Sequence, residues 1–315
     1  MGKAVAWSNG AAVIVTMALA TLAARPGWFS GVVPEASHSQ TTTASVAPRT
    51  MTDAGGKPLT VRRFTRIASG DLVVDRLLLE LCEPDRIAAF SDRAPYSYEA
   101  FRYVGKPPLP ELNNVEGVLA LKPDLVIVHS MGKRTHAEQL RQAGVAVFEL
   151  GEMLGLQTLL SDMEAIGQLV GSSDRANELR ARTVRRLMNV SAGRSESERT
   201  EALYLGVHGG ILYGGTLGSS FHDVLSAAGL KDIAATHHTG WPRFTNEQIL
   251  AFKPRLIVTQ AGMARVMCQI TGFAAVPACG PGGRIVELPA ELLVDPGLPL
   301  VDAAESLALL VYGKN

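Results

Sequence analysis

Six of the chain's seven histidines, at positions 129, 136, 208, 222, 237 and 238, lie beyond residue 60. Three imidazoles with a carboxylate can hold a divalent ion. His129, His208 and either His237 or His238 therefore form one candidate metal set. His136 and His222 fall in helix-patterned segments and are read as lying away from it. Arg93, Arg102, Arg243 and Arg265 carry planar guanidinium forks suited to carboxylates. Tyr96, Tyr98, Tyr213 and Trp241 offer faces on which a flat ligand can stack. Such a set suits reversible capture of a bulky molecule rather than turnover. The chain has no G-x-S-x-G, HExxH or phosphate-loop G-K-[ST] motif. Asp71 and Asp75 share a helix face, but Asp71 stands where a helix cap is expected. No enzyme and no resident cofactor is implied.

The elements that must position these residues begin after an export segment. Lys3 precedes the 14-residue apolar run Ala11–Ala24, the pattern of a secretory signal. Left uncut, the uncharged stretch 4–24 is long enough to anchor the chain in a bilayer. Residues 1–36 are thus read as signal peptide or anchor, and 37–60, rich in Ser, Thr and Gly, as a flexible linker. The folded protein is expected outside the cytoplasm. In that oxidising setting a Cys268–Cys279 disulfide is plausible, while Cys82 reads as a buried free thiol.

Beyond residue 61, short apolar strands alternate with helical patterns, as at 64–69, 71–82, 86–90, 115–121, 124–128, 135–143 and 145–150. This alternation predicts a parallel sheet covered on both faces. Residues 154–192 read as one connecting helix, its run 159–190 spanning ~50 Å, with Gly167 and Gly171 as possible kinks. Alternation resumes over 199–315, so the fold class is α/β, with lobes at 61–153 and 199–315. Ligands of open α/β sheets bind beyond the carboxyl ends of the strands. That rule brings His129 and Ser130, the loop with Arg93, Tyr96 and Tyr98, and the stretch His208–Gly215 with Tyr213 to one cleft between the lobes.

One internal repeat organises the rest. Residues 116–128, EGVLALKPDLVIV, match 247–259, EQILAFKPRLIVT, with six of 13 positions identical. The order of export signal, RIASGDLVVDRLLLEL, NNVEGVLALKPDLVIV, long helix and GWPRFTNEQILAFKPRLIV resembles the periplasmic receptors of bacterial ABC importers for ferric siderophores, haem and cobalamin. The resemblance implies two doubly wound lobes, a permease with its ATPase as partner, and a metal chelate as ligand. It also implies that Glu116 and Glu247 dock on permease arginines. Asn113-x-x-Glu116 is in addition a capping-box pattern. His208 in V-H-G-G resembles an iron-ligating histidine of haem receptors, although Lys106 follows Val104-Gly105 where those receptors have a tyrosine. Trp241 in G-W-P-R-F resembles a pocket tryptophan of cobalamin receptors, and with Arg243 completes the expected lining.

Composition agrees with a receptor of small molecules. Thirty basic and 30 acidic residues give zero formal charge, which argues against a nucleic-acid binder. With 47% hydrophobic and 19% charged residues the chain can bury a sizeable core. A monomer is expected.

Overall fold

The folded chain begins before the Ser- and Thr-rich stretch has ended. A computed structural model describes residues 49–313, apart from 98, 131–133, 193, 194, 196, 197 and 294. The expected export segment and most of the expected linker lie outside the described residues. Within the expected linker, however, β1 (Thr50–Thr52) pairs antiparallel with β2 (Pro58–Thr60). The turn between them is pinned by buried Asp53, which accepts from the Lys57 amide and from the Arg141 guanidinium. Met51 and Leu59 pack against the first core. Residues 50–60 therefore belong to the first lobe, which moves the expected boundary at residue 61 towards the N-terminus.

That lobe continues through β3 (Ile67–Ser69), α1 (Leu72–Leu81), β4 (Ile87–Ala89), α2 (Val115–Ala120), β5 (Leu125–Val128), α3 (Arg134–Gln142) and β6 (Val147–Glu149). Its four strands are parallel in the order β4-β3-β5-β6. Every residue of β3, β5 and β6 is buried. This is what continuous apolar runs require when both sheet faces are covered. Helix α1 turns Val73, Val74, Leu77, Leu78 and Leu81 inward at helical spacing, with Cys82 buried behind them.

The connector is two helices rather than one. Helix α4 (Leu156–Val170) ends at Gly171, whose left-handed backbone (φ 77°) closes the last turn as its amide reaches back to Gly167 O. Ser172 then bonds the Leu81 carbonyl through its hydroxyl, and α5 (Ser173–Ser191) runs on from there. Leu159, Met163 and Ile166 of α4 join the first core, whereas Leu187 near the end of α5 lies in the second. Only α5 therefore carries the chain between lobes, ~28 Å at 1.5 Å per residue.

The second lobe comprises β7 (Thr200–Tyr204), β8 (Gly206–His208), β9 (Ile211–Tyr213), α6 (Ser220–Ala227), β10 (Leu230–Asp232), β11 (Arg243–Phe244), α7 (Asn246–Phe252), β12 (Leu256–Gln260), α8 (Ala264–Met267), β13 (Arg284–Leu288), α9 (Ala290–Leu293) and α10 (Pro299–Tyr312). Its main sheet, β10-β7-β12-β13, repeats the strand order of the first. The sequence repeat is also a stereochemical one. Lys122 and Lys253, at equivalent places before proline, are the two non-glycine residues with positive φ among those described, both at 50°. Each lets its helix stop and its chain turn into the next strand. A three-stranded antiparallel sheet, β11-β9-β8, is added to the second lobe. Cys268 and Cys279 are disulfide-bonded beside α8, and Cys82 is free and buried.

Side-chain contacts join the lobes on the connector side. Buried Arg76 of α1 pairs with Asp295 at 2.9 Å and with Glu99 at 2.6 Å. Arg186 of α5 reaches Asp302 and Glu305 of α10, each at 2.7 Å. The Leu156 amide opening α4 donates to Asp223 of α6 at 2.6 Å.

Candidate ligand-binding site

In the first sheet, the crossover from β3 leads outward to β4, and that from β4 returns past β3 to β5. The carboxyl ends of β3 and β5 thus flank a topological switch point, where open sheets leave a crevice. A cavity of about 280 Å³ opens there, lined among others by Asp71, Ser91, Asp92, Arg93, Glu111 and His136. Asp71 follows β3 and caps α1, accepting from the Val74 amide at 3.1 Å. The cap expected from sequence is present, but the carboxylate does more.

Its other oxygen accepts from both the backbone amide (3.0 Å) and ring Nδ1 (2.9 Å) of His129, which follows β5. Ring Nε2 of His129 lies 3.0 Å from Asp162 of α4. Burial alone would lower the imidazole pKa. The hydrogen bonds from Asp162 and Asp71, with their charges, instead raise it to about 9. His129 is therefore a buried cation between two carboxylates, and both ring nitrogens are engaged. The crevice floor is fastened by this triad to the connector. Sequence reasoning placed His129 at the cleft as a ligand contact; the structure places it beneath the surface.

A second buried carboxylate braces the crevice wall. Asp75, with no exposure, accepts from the Ser91 amide at 2.8 Å and its hydroxyl at 2.5 Å. Burial pushes its pKa up to about 7. Ser130 is buried, its amide donating to Gly151 O and its hydroxyl without a partner among the described residues. Arg93 lines the cavity, Tyr96 is exposed, and Tyr98 lies outside the described residues. His136 corrects its sequence reading: the start of α3 brings it to the cavity. Asp162 and the segment Leu109–Leu112 carried no motif, and only folding brings them here.

On the second lobe, the Gly-rich stretch is a hairpin rather than a loop. Gly209 and Gly210, with φ of 57° and 76°, make the two-residue turn between β8 and β9. That turn puts His208 at the exposed hairpin tip. Tyr213 pairs with Arg243 across the strands, and the Arg243 guanidinium lies 5.5 Å above the tyrosine ring. Trp241 is half exposed and meets Phe221 edge-on at 4.8 Å, which in turn stacks on Tyr204 at 3.8 Å. These three residues form an aromatic wall with a solvent-facing edge.

The candidate metal set does not assemble. His238 packs edge-on against Phe244 and Phe252, His237 and His208 are exposed, and His129 is committed to its carboxylates. Among the described residues no group of three or more His, Cys, Asp or Glu side chains is placed to hold an ion. His222, from α6, bonds buried Asp232 at 2.9 Å, which raises its pKa.

Glu116 and Glu247 are both exposed in the first turns of α2 and α7. The α2 cap is Asn114, accepting from Gly117, one residue later than the Asn113-x-x-Glu116 pattern suggested. On α7, Thr245 and Gln248 form the capping box. The Glu247 carboxyl is held below its ordinary value by its own amide and by Thr245.

Comparison with known proteins accords with this architecture. A cobalamin-binding protein of Halobacterium salinarum is 26% identical over 270 residues, covering 84% of this chain and 72% of that protein. An uncharacterized ABC transporter substrate-binding lipoprotein, YvrC of Bacillus subtilis, is 26% identical over 206 residues, or 63% of this chain. The chain spans 65% of the length of that Bacillus protein, just under two-thirds. Among solved structures, the periplasmic heme binding protein HutB of Vibrio cholerae superposes with a TM-score of 0.68 at 22% identity, covering 79% of this chain and 99% of that one. At such identity the likeness is one of fold. Residues 67–298 match the periplasmic binding protein family over well more than half of the sequence, and the chain belongs to that family.

Proposed function

We propose that this chain is the extracytoplasmic substrate-binding protein of an ABC importer. It captures an iron chelate (siderophore or haem) or cobalamin and delivers it to an inner-membrane permease and its ATPase. The observation that carries this reading is the polar crevice at the switch point of the first sheet, with Asp92, Arg93, Glu111 and His136 offering both donors and acceptors. Arg93, Tyr96, Tyr98 and Ser130 of the first lobe, with His208, Tyr213, Trp241 and Arg243 of the second, are the residues assigned to the ligand. His129 acts beneath them by holding Asp71. Binding is reversible and involves no bond-making. The names of the Halobacterium and Vibrio relatives support a corrinoid or a haem as cargo.

Glu116 and Glu247 are assigned to permease docking. Their support is the sequence repeat and their exposure at matched helix starts, where the helix dipole favours a carboxylate. Two carboxylates on one body fix orientation and speed encounter more than they add affinity. Export by the N-terminal segment belongs to the same reading.

The test is calorimetric titration of the full chain with cyanocobalamin, haemin and a ferric siderophore. At least one should bind at one site per chain and be recovered unaltered. Failure of all three would refute capture of a metal chelate.

A further inference from the structure

Helix α4 lacks a capping side chain at its first residue, and the second lobe supplies one. Gly155 stands at the N-cap with no side chain, and the Thr158 hydroxyl is turned back onto the Leu154 and Gly155 amides. The next donor, the Leu156 amide, is taken by the Asp223 carboxylate of α6 at 2.6 Å. A carboxylate there also meets the positive end of the α4 dipole. Leu156 itself packs against the second core. The approach leaves no room at Gly155. Its backbone (φ 128°) is one that side chains rarely adopt, and a Cβ would collide with the Asp223 carboxylate. The second lobe therefore holds the first turn of α4, while Leu159, Met163 and Ile166 hold the rest of the helix in the first core.

Nearly two turns further along, ~9 Å from Leu156, Asp162 holds the His129 ring, which holds Asp71 at the crevice. At the other end the contact leads to the aromatic wall. Asp223 lies two residues after Phe221 on α6, and Phe221 meets both Tyr204 and Trp241. One helix, packed along its length, thus joins the crevice floor to that wall. We infer that α4 is a strut between the two walls of the cleft, with Asp223 and Asp162 as its positioning residues, so that a displacement at either wall is felt at the other. That both walls face one ligand rests on the capture reading. The coupling itself does not, and its test uses no ligand.

The test is made on full-length protein carrying Trp7→Phe and Trp28→Phe, which leaves Trp241 as the sole indole. The His129 ring, followed by NMR titration, reports the spacing of its two carboxylates. Asp223→Ala should lower its titration midpoint by about half a pH unit or more, an effect that reaches the ring by way of α4. Asp223→Asn, which keeps an acceptor oxygen for the Leu156 amide, should stay closer to the parent protein. In the opposite direction, Asp162→Asn should shift the Trp241 emission, since coupling is reciprocal. A merely local cap would cost stability, read as a lower urea midpoint, and leave both signals in place. An unaltered His129 titration in folded Asp223→Ala, or an unaltered Trp241 emission in Asp162→Asn, would overturn the strut and leave chelate capture intact. Should Asp223→Ala fail to fold, the Asp162→Asn emission decides alone.

Discussion

Raising the pH through the range in which His129 loses its proton should unfasten the crevice floor from the connector. The imidazole pKa lies at about 9 in the fold against 6.5 when unperturbed, and its side chain is only 1% exposed. That difference corresponds to roughly 3 kcal/mol of linkage. Because the folded value is the higher one, the contribution is fully present below pH 6.5. It declines above that and is gone once the pH exceeds about 9. Urea unfolding followed by circular dichroism at intervals from pH 6 to 10 should show this loss. In His129→Gln the same window should lack it. At pH 6.5 the variant should start lower by about 3–5 kcal/mol, because Asp71 and Asp162 then face one another without a cation. The wild-type and variant curves should converge at alkaline pH. Parallel curves across the whole range would refute the buried imidazolium. Asp75 acts in a separate window: its raised value of about 7 favours the protonated form, so stability falls as pH climbs from about 4 to 7.

Lys122→Gly and Lys253→Gly should each stabilise the fold by about 0.5–1 kcal/mol in chemical denaturation, since glycine adopts positive φ without the penalty of a Cβ. Reducing the Cys268–Cys279 disulfide, or replacing both cysteines by serine, should cost about 2–4 kcal/mol of second-lobe stability, read as a lower urea midpoint. Reversing charge at Glu116 and Glu247 together should lower ligand uptake by whole cells and leave the affinity of the purified protein unaltered. A fall in affinity would place those carboxylates in the ligand site instead.

Much of this architecture is legible in the chain because its signals are local. Lys-Pro after an apolar helix can only be a stop followed by a strand, and it occurs twice at one spacing. The strand runs carry period-free apolar residues, which buried parallel strands demand. The misreadings share the opposite property. The hairpin 50–60 looks like linker by composition, and it is held by an Arg141–Asp53 pair 88 residues apart. The connector break falls at Gly171, legible as a possible kink, but that it separates two helices is fixed by Ser172 meeting Leu81, 91 residues away. His129 was visible as a crevice residue, but its burial depends on Asp71, legible only as a helix cap, and on Asp162, which no motif singles out. Local patterns mark where the chain turns, and distant partners decide which polar side chains end up inside.

Cys82 provides a consequence of a different kind. It is buried in the first core, its thiol is pushed up to about 11 by burial, and the other two cysteines are bonded to each other. A thiol reagent added to native protein can therefore react only when the first lobe opens, and each opening is counted by a single sulfur. Trp241, across the connector, is the sole indole of the second lobe. The molecule thus carries one reporter per lobe, a sulfur that reacts only on opening and an indole whose emission follows its surroundings. Compared with and without ligand, the two signals read each lobe separately.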